Sequence, residues 1–196
     1  MGKNKLMKFE QNASFENMVQ SPRTELLENG LPLKGKWHKE FFKNNQPIVL
    51  ELGCGKGEYT VGLAKKFPDK NFIGVDIKGA RMWRGARTAT DNMMKNVGFL
   101  RTQIELIDHC FSKGEVSEIW ITFPDPQIKY RRRKKRLTSP SMLDKYRSIL
   151  SDNALLHLKT DSQFLHGYTL GILEGLGCEI LDSSYDIDRQ KPDDEL

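Results

Sequence analysis

The chain has 196 residues, 38% of them hydrophobic, which suits one domain with a single substantial core and is too apolar for a disordered polymer. No apolar run approaches about 18 residues, and the start Met1-Gly2-Lys3 has no apolar segment behind it, so neither a membrane span nor a secretory signal is expected. The net charge of +5 says less than its distribution, because a clustered positive patch attracts polyanions far better than scattered lysines.

Residues 1–45 carry no strand-like run and are expected to form a helical extension. Ser21-Pro22-Arg23 reads as a helix start, and Trp37, Phe41 and Phe42 sit at helical spacing. From residue 46 a regular alternation begins. Strands are expected at 47–52, 71–76, 97–101, 117–123, 154–159 and 178–181. Helices are expected after the first strand to about Lys66, then at 80–94, 104–111, 139–150 and 162–174. Such alternation implies βαβ units: an α/β fold with a mainly parallel sheet and helices on both faces. Ligands then bind outside the carboxyl ends of the strands, so the loops after Leu52, Asp76, Arg101, Phe123 and Lys159 should share one rim.

Cys54, Cys110 and Cys178 are far apart and form no CxxC pair, which fits a reduced, cytoplasmic setting. The four histidines, His38, His109, His157 and His166, show no metal-ligand spacing, and no metal is expected.

Glu51-Leu52-Gly53-Cys54-Gly55-Lys56-Gly57 is a strand end running into G-x-G-x-G. Glycines there let the backbone turn tightly and approach a ligand. A nicotinamide-binding loop would place its third glycine at position 58, which is Glu58, and no P-loop spacing is present. Asp76, about twenty residues on, ends the next strand, where an acid accepts ribose hydroxyls. The loop alone is a weak signal, and a tight turn without a ligand is its other reading. With its acid it leans toward a nucleoside lacking a pyrophosphate, such as S-adenosylmethionine, whose cationic end Glu51 would face.

Thr122-Phe123-Pro124-Asp125-Pro126 follows the 117–123 strand, with two prolines fixing the backbone around one acid. Lys129-Tyr130 then leads into six consecutive basic residues, Arg131, Arg132, Arg133, Lys134, Lys135 and Arg136. A solvated loop and a nuclear-import signal are open readings of such a run. Its place beside the ligand rim favours nucleic-acid binding through phosphate neutralisation.

Together these segments resemble the bacterial tRNA (guanine-N7)-methyltransferase family, from about residue 47 to the end. The most specific part is Phe123-Pro124-Asp125-Pro126 with Lys129 and the basic run. The resemblance implies a Rossmann-like methyltransferase fold, S-adenosylmethionine as cofactor, and methylation of a variable-loop guanine in tRNA by a monomer or homodimer. It implies Glu51, the loop Gly53, Gly55 and Gly57, Asp76 and Asp125 as cofactor contacts and Asp125 as the active-site acid. Lys129 and Asp161 become substrate contacts, and residues 131–136 the RNA-binding segment. Gln103 stands where the family tends to have an Asp near the adenine, and an amide still offers that edge a donor and an acceptor. Gln127 replaces a usual Trp, and Arg132 a usual His. The family's Thr-x-Tyr-Glu-type segment and last antiparallel strand have no counterpart before Leu196, so that strand is expected to be missing. Competing readings are a methyltransferase for another RNA site and a non-catalytic RNA-binding protein on this fold. The basic run disfavours a small-molecule methyltransferase.

Overall fold

The computed structural model describes residues 2–185, with side chains from Leu6 onward; Asp193-Asp194-Glu195 and the rest of the tail lie outside the described residues. Six strands form one sheet: β1 (Met18–Gln20), β2 (Ile48–Leu52), β3 (Asn71–Asp76), β4 (Val97–Arg101), β5 (Val116–Thr122) and β6 (Leu150–Lys159). The order is β1-β4-β3-β2-β5-β6, and every pairing is parallel. Six α-helices accompany them: α1 (Gly2–Ser14), α2 (Arg23–Asn29), α3 (Glu58–Lys66), α4 (Gly79–Asp91), α5 (Pro140–Arg147) and α6 (Gln163–Gly175).

From β2 the chain steps outward through β3 and β4, then returns past β2 to form β5 and β6. That reversal opens a crevice between the carboxyl ends of β2 and β5, the usual ligand position in an open α/β sheet. Strand β2 is buried along its whole length because strands flank it and helices cover both faces. Its side chains alternate. Ile48, Leu50 and Leu52 join one core with Trp37, Phe111 and Tyr146, while Val49 joins the other with Phe72, Phe99, Met82 and Trp120. Glu51 shares the Val49 face, and so points at α3.

Two expectations about strands are corrected. Residues 1–45 do hold a strand, β1, whose Met18, Val19 and Gln20 pair with Phe99, Leu100 and Arg101. Three residues are too few for alternation to register; the strand exists because β4 offers it a free edge. Conversely, 178–181 forms no strand. Contacts to side chains hold the region instead, from Arg147 to Cys178 Sγ at 3.4 Å and from His166 to Ser183 at 3.1 Å. Residues 104–109 form a 3₁₀ turn in place of a full helix. The aromatic cluster at 37–42 is helical, as its spacing implies, but wound as a π-type turn. Trp37 within it is fully buried, stacked on Phe111 at 5.1 Å and donating to the Cys110 carbonyl at 3.0 Å.

One charged cluster sits inside the sheet away from the crevice. Glu118 on β5 accepts from Lys70 Nζ at 2.7 Å and Trp120 Nε1 at 2.7 Å, and lies 3.0 Å from His157 Nε2, whose ring stacks on Trp120. Burial alone would raise this carboxyl, but the hydrogen bonds from His157, Lys70 and Trp120 outweigh it and bring it down to about 2. A carboxyl depressed in the folded state stabilises the fold above its unfolded value of about 4. That contribution drains away as pH falls toward 2. Thermal melts from pH 7 to pH 3 should therefore show a steeper loss of Tm for the wild type than for Glu118→Gln; parallel curves would refute the coupling.

Candidate functional site

A cleft of about 270 Å³ opens at the crevice between β2 and β5. Glu51, Gly53, Gly55, Lys56, Arg81 and Phe123 are among its lining residues. Glu51 is 4% exposed and has both oxygens engaged. Its Oε2 accepts from the Thr60 backbone N–H at 2.8 Å and from the Thr60 hydroxyl, and its Oε1 accepts from the Thr122 hydroxyl at 2.7 Å. Burial raises its pKa above the ordinary carboxylate value, and the threonine hydrogen bonds only partly oppose that rise. The carboxylate is thus held at a cost that a cation in the cleft would lower.

Gly53, Gly55 and Gly57 all have positive φ, at 81°, 54° and 73°. At Gly57 a Cβ would also come within 2.5 Å of the Phe99 ring, so the turn has no room for any other residue there. Asp76 closes the loop from below. Its Oδ2 accepts from the Gly55 N–H at 3.0 Å and its Oδ1 from the Lys78 N–H at 2.8 Å. Each oxygen keeps a lone pair for an incoming hydroxyl.

Two cations in this cleft escaped the sequence reading. Lys56 lies inside the glycine loop, and Arg81, in the first turn of α4, holds its guanidinium over Gly55, 3.4 Å from where a Cβ would be. With Glu51 they offer both charges, which matches a zwitterionic amino-acid group. Arg81 was illegible because nothing in the sequence indicates which side of α4 faces the loop.

The Asp-Pro loop leaves the neighbouring strand end. Two non-glycine residues in it adopt the left-handed region, Phe123 at φ 46° and Gln127 at φ 47°. Phe123 precedes a proline, which makes its conformation still less favourable. Such conformations persist only where the surroundings enforce them, and they gather at functional sites. Asp125 is exposed, and its Oδ1 accepts from the Gln127 N–H at 3.0 Å. This leaves Oδ2 free. Phe123 at the base of this loop lines the cleft and meets Tyr59 edge-on at 6.2 Å.

Asp76, Asp125 and the remaining expected site residues fall on the same rim but are not among the residues that line the cleft. Gln103 follows β4 and accepts from Arg23 Nη1 through its side-chain oxygen. Asp161 follows β6 and is exposed, as is Lys129. Tyr130–Lys135 forms a short 3₁₀ turn with Arg131, Arg132, Arg133, Lys134 and Lys135 all exposed, and Arg133 lies over the Tyr130 ring at 4.2 Å.

Arg136 is a correction to the RNA-facing run. It is 6% exposed. Its guanidinium lies over Phe164 at 4.7 Å and Tyr168 at 4.3 Å, and donates to the carbonyls of Gln127 and Ile128 at 3.2–3.3 Å. The last cation of the run is therefore a brace between α6 and the Asp125 loop. Charge patterning could not separate it from its five neighbours.

Among the described residues no group of three or more His, Cys, Asp or Glu side chains is placed to hold a metal ion, and no helix is long and apolar enough to cross a membrane.

Residues 45–193 match a family model described as putative methyltransferase. The chain is 63% identical over 185 residues to a tRNA (guanine-N(7)-)-methyltransferase of Christiangramia forsetii, covering 94% of this chain and 83% of the relative. It is 57% identical over 180 residues to the protein of that name from Bacteroides fragilis, covering 92% and 71%. A solved structure of an antibiotic-related methyltransferase superimposes with a TM-score of 0.59 over 78% of each chain at 17% identity, a likeness of fold.

Glu51→Gln should separate binding from stability. The amide keeps an acceptor for the threonines but removes a buried charge, so Tm should hold or rise. Affinity for S-adenosylmethionine should fall by about 10–100-fold through loss of a charge-assisted hydrogen bond. Calorimetric titration reads the second effect and a thermal melt the first; unchanged affinity would detach Glu51 from the cofactor.

Proposed function

The chain belongs to the tRNA (guanine-N(7)-)-methyltransferase family, and on that premise we propose how its own residues carry the reaction. It is an enzyme that transfers a methyl group from S-adenosylmethionine to N7 of a guanine in tRNA. The observation that carries the site assignment is the junction of the two loops: Thr122, at the start of the Asp-Pro loop, donates to Glu51, at the start of the glycine loop, at 2.7 Å. A ligand seated on one loop is within reach of groups on the other.

The donor set fits the cofactor. Glu51 would face its ammonium end, Lys56 and Arg81 its carboxylate, Asp76 its ribose, and Gln103 its adenine edge. When bound, S-adenosylmethionine supplies a methyl group made electrophilic by a positive sulfonium. N7 of guanine already carries a lone pair, so no residue has to remove a proton before attack. The work left to the protein is positioning and electrostatics. Asp125 accepts hydrogen bonds from the guanine edge and favours the positive charge that the purine acquires. Lys129 and Asp161 hold the nucleotide from the flanking strand ends. The cations at 131–135 anchor phosphates without reading sequence. The target guanine lies in the variable loop, and the enzyme acts in the cytoplasm as a monomer or homodimer.

Incubation with unmodified tRNA and labelled S-adenosylmethionine, then borohydride reduction, aniline cleavage and reverse transcription, maps the product. A single new stop in the variable loop is expected. Cleavage elsewhere would relocate the substrate position, and labelled RNA resistant to cleavage would refute N7 as the acceptor.

A further inference from the structure

A second cleft of about 270 Å³ lies between α3 and α4, on the far side of the glycine loop from the basic turn. Three cations line it: Lys56, Lys65 and Arg84. None makes an ion pair among the described residues, and Glu58 is the one acid beside them. Gly57, Gly62 and Gly85 line it too, and the space over Gly62 is open for 4 Å. A bulky backbone can therefore come close to the groove wall.

The charge pattern on α4 is the second observation. Arg81, Arg84 and Arg87 recur at three-residue intervals, and all are exposed. Neighbours at this spacing on a helix repel when they carry like charge. Arg81 also stands in the first turn, where the positive end of the helix dipole disfavours a cation. Only Arg87 meets an acid, Asp91 at 3.4 Å. Arg87 also lies over the Trp83 ring at 5.3 Å, and Arg81 stands over the glycine loop, so among the described residues Arg84 is the member of the stripe whose charge meets no partner inside the chain.

We propose that the α3–α4 groove, with Lys65 and Arg84 as its uncommitted cations, forms a second phosphate-binding surface, which takes the sugar–phosphate backbone of the tRNA. This rests on the reading of tRNA as substrate. The groove shares Lys56 and Glu58 with the cofactor cleft, so a strand lying in it passes beside the reacting centre. The basic turn after β5 grips the other flank. Two anchors on opposite sides of the cleft fix the substrate's orientation, which a single anchor cannot do.

The test measures tRNA binding against salt concentration for the wild type, for Lys65→Ala/Arg84→Ala, and for Arg131→Ala/Arg132→Ala/Arg133→Ala. Losing two phosphate contacts should reduce the slope of log affinity against log salt by about 1.5–2 in the groove variant, with affinity down roughly tenfold or more near 0.1 M salt. S-adenosylmethionine affinity should stay at the wild-type value, which also certifies the fold. If the double variant loses that affinity, the single variants Lys65→Gln and Arg84→Gln, each expected to reduce the slope by about 0.7–0.9, decide the matter. A wild-type slope in a folded groove variant, while the basic-turn variant loses its own share, overturns the groove and leaves the substrate reading intact. A wild-type chain that binds no tRNA at any salt overturns both.

Discussion

Asp125→Asn should lower kcat for tRNA methylation by about 10²–10³-fold, the scale seen when one preorganised electrostatic contact to a transition state is lost. The substitution isolates charge. Asparagine keeps the side-chain oxygen that accepts from Gln127 N–H at 3.0 Å, so the turn between the two prolines survives. What disappears is a negative charge beside a purine that becomes positive as the methyl arrives. Cofactor affinity should hardly move, because Glu51, Asp76 and the cations of the cleft are untouched. Steady-state kinetics with calorimetric titration separates these effects. Turnover within about twofold of wild type would remove Asp125 from the reaction, since a contact of this kind is worth far more.

Arg136→Ala is expected to damage both fold and turnover, for a different reason. The side chain lies over the rings of Phe164 and Tyr168 and satisfies the carbonyls of Gln127 and Ile128. Truncation leaves those carbonyls short of a charged donor, a loss of about 1.5–3 kcal/mol, with roughly another 1 kcal/mol from the cation–π contacts. Gln127 then loses the constraint on its left-handed backbone, and with it the turn that aims Asp125. Misplacement by about 1 Å costs on the order of 10²-fold in rate, so kcat should fall by about 10–100-fold. Lysine should not rescue it, because a point charge neither bridges two carbonyls nor covers two ring faces as a planar guanidinium does. The salt slope of tRNA binding should match wild type, since this guanidinium is not offered to phosphate. A reduced slope with unchanged Tm would instead put Arg136 on the RNA.

Much of this was legible in the sequence because the signals are local. A strand, a glycine turn and a helix follow one another in residues 47–66, and the acid ending the next strand is about one βα unit away. The βαβ rhythm gave the direction of the sheet, and so the shared rim of Glu51, Asp76 and the Asp-Pro loop. What was not legible depends on contacts between distant segments. Strand β1 is a strand only because β4 has an open edge beside it. The 178–181 segment has strand-like composition but no ladder. Arg136 looks like its neighbours until α6 is seen to bring two aromatic rings against it. Arg81, Thr60 and Thr122 are ordinary residues by type, and become site residues through the packing of α3, α4 and β5 around the crevice.

This cleft is expected to deliver a methyl group to N7 of guanine in tRNA. The most direct measurement compares two transcripts of the same tRNA, one ordinary and one made with 7-deazaguanosine at every guanine, each incubated with the enzyme and labelled S-adenosylmethionine. The ordinary transcript should take up label to a plateau of about one methyl per molecule, as expected for one oriented nucleotide in one site. The transcript without N7 should take up none. Equal labelling of both would place the methyl on another atom and contradict the account.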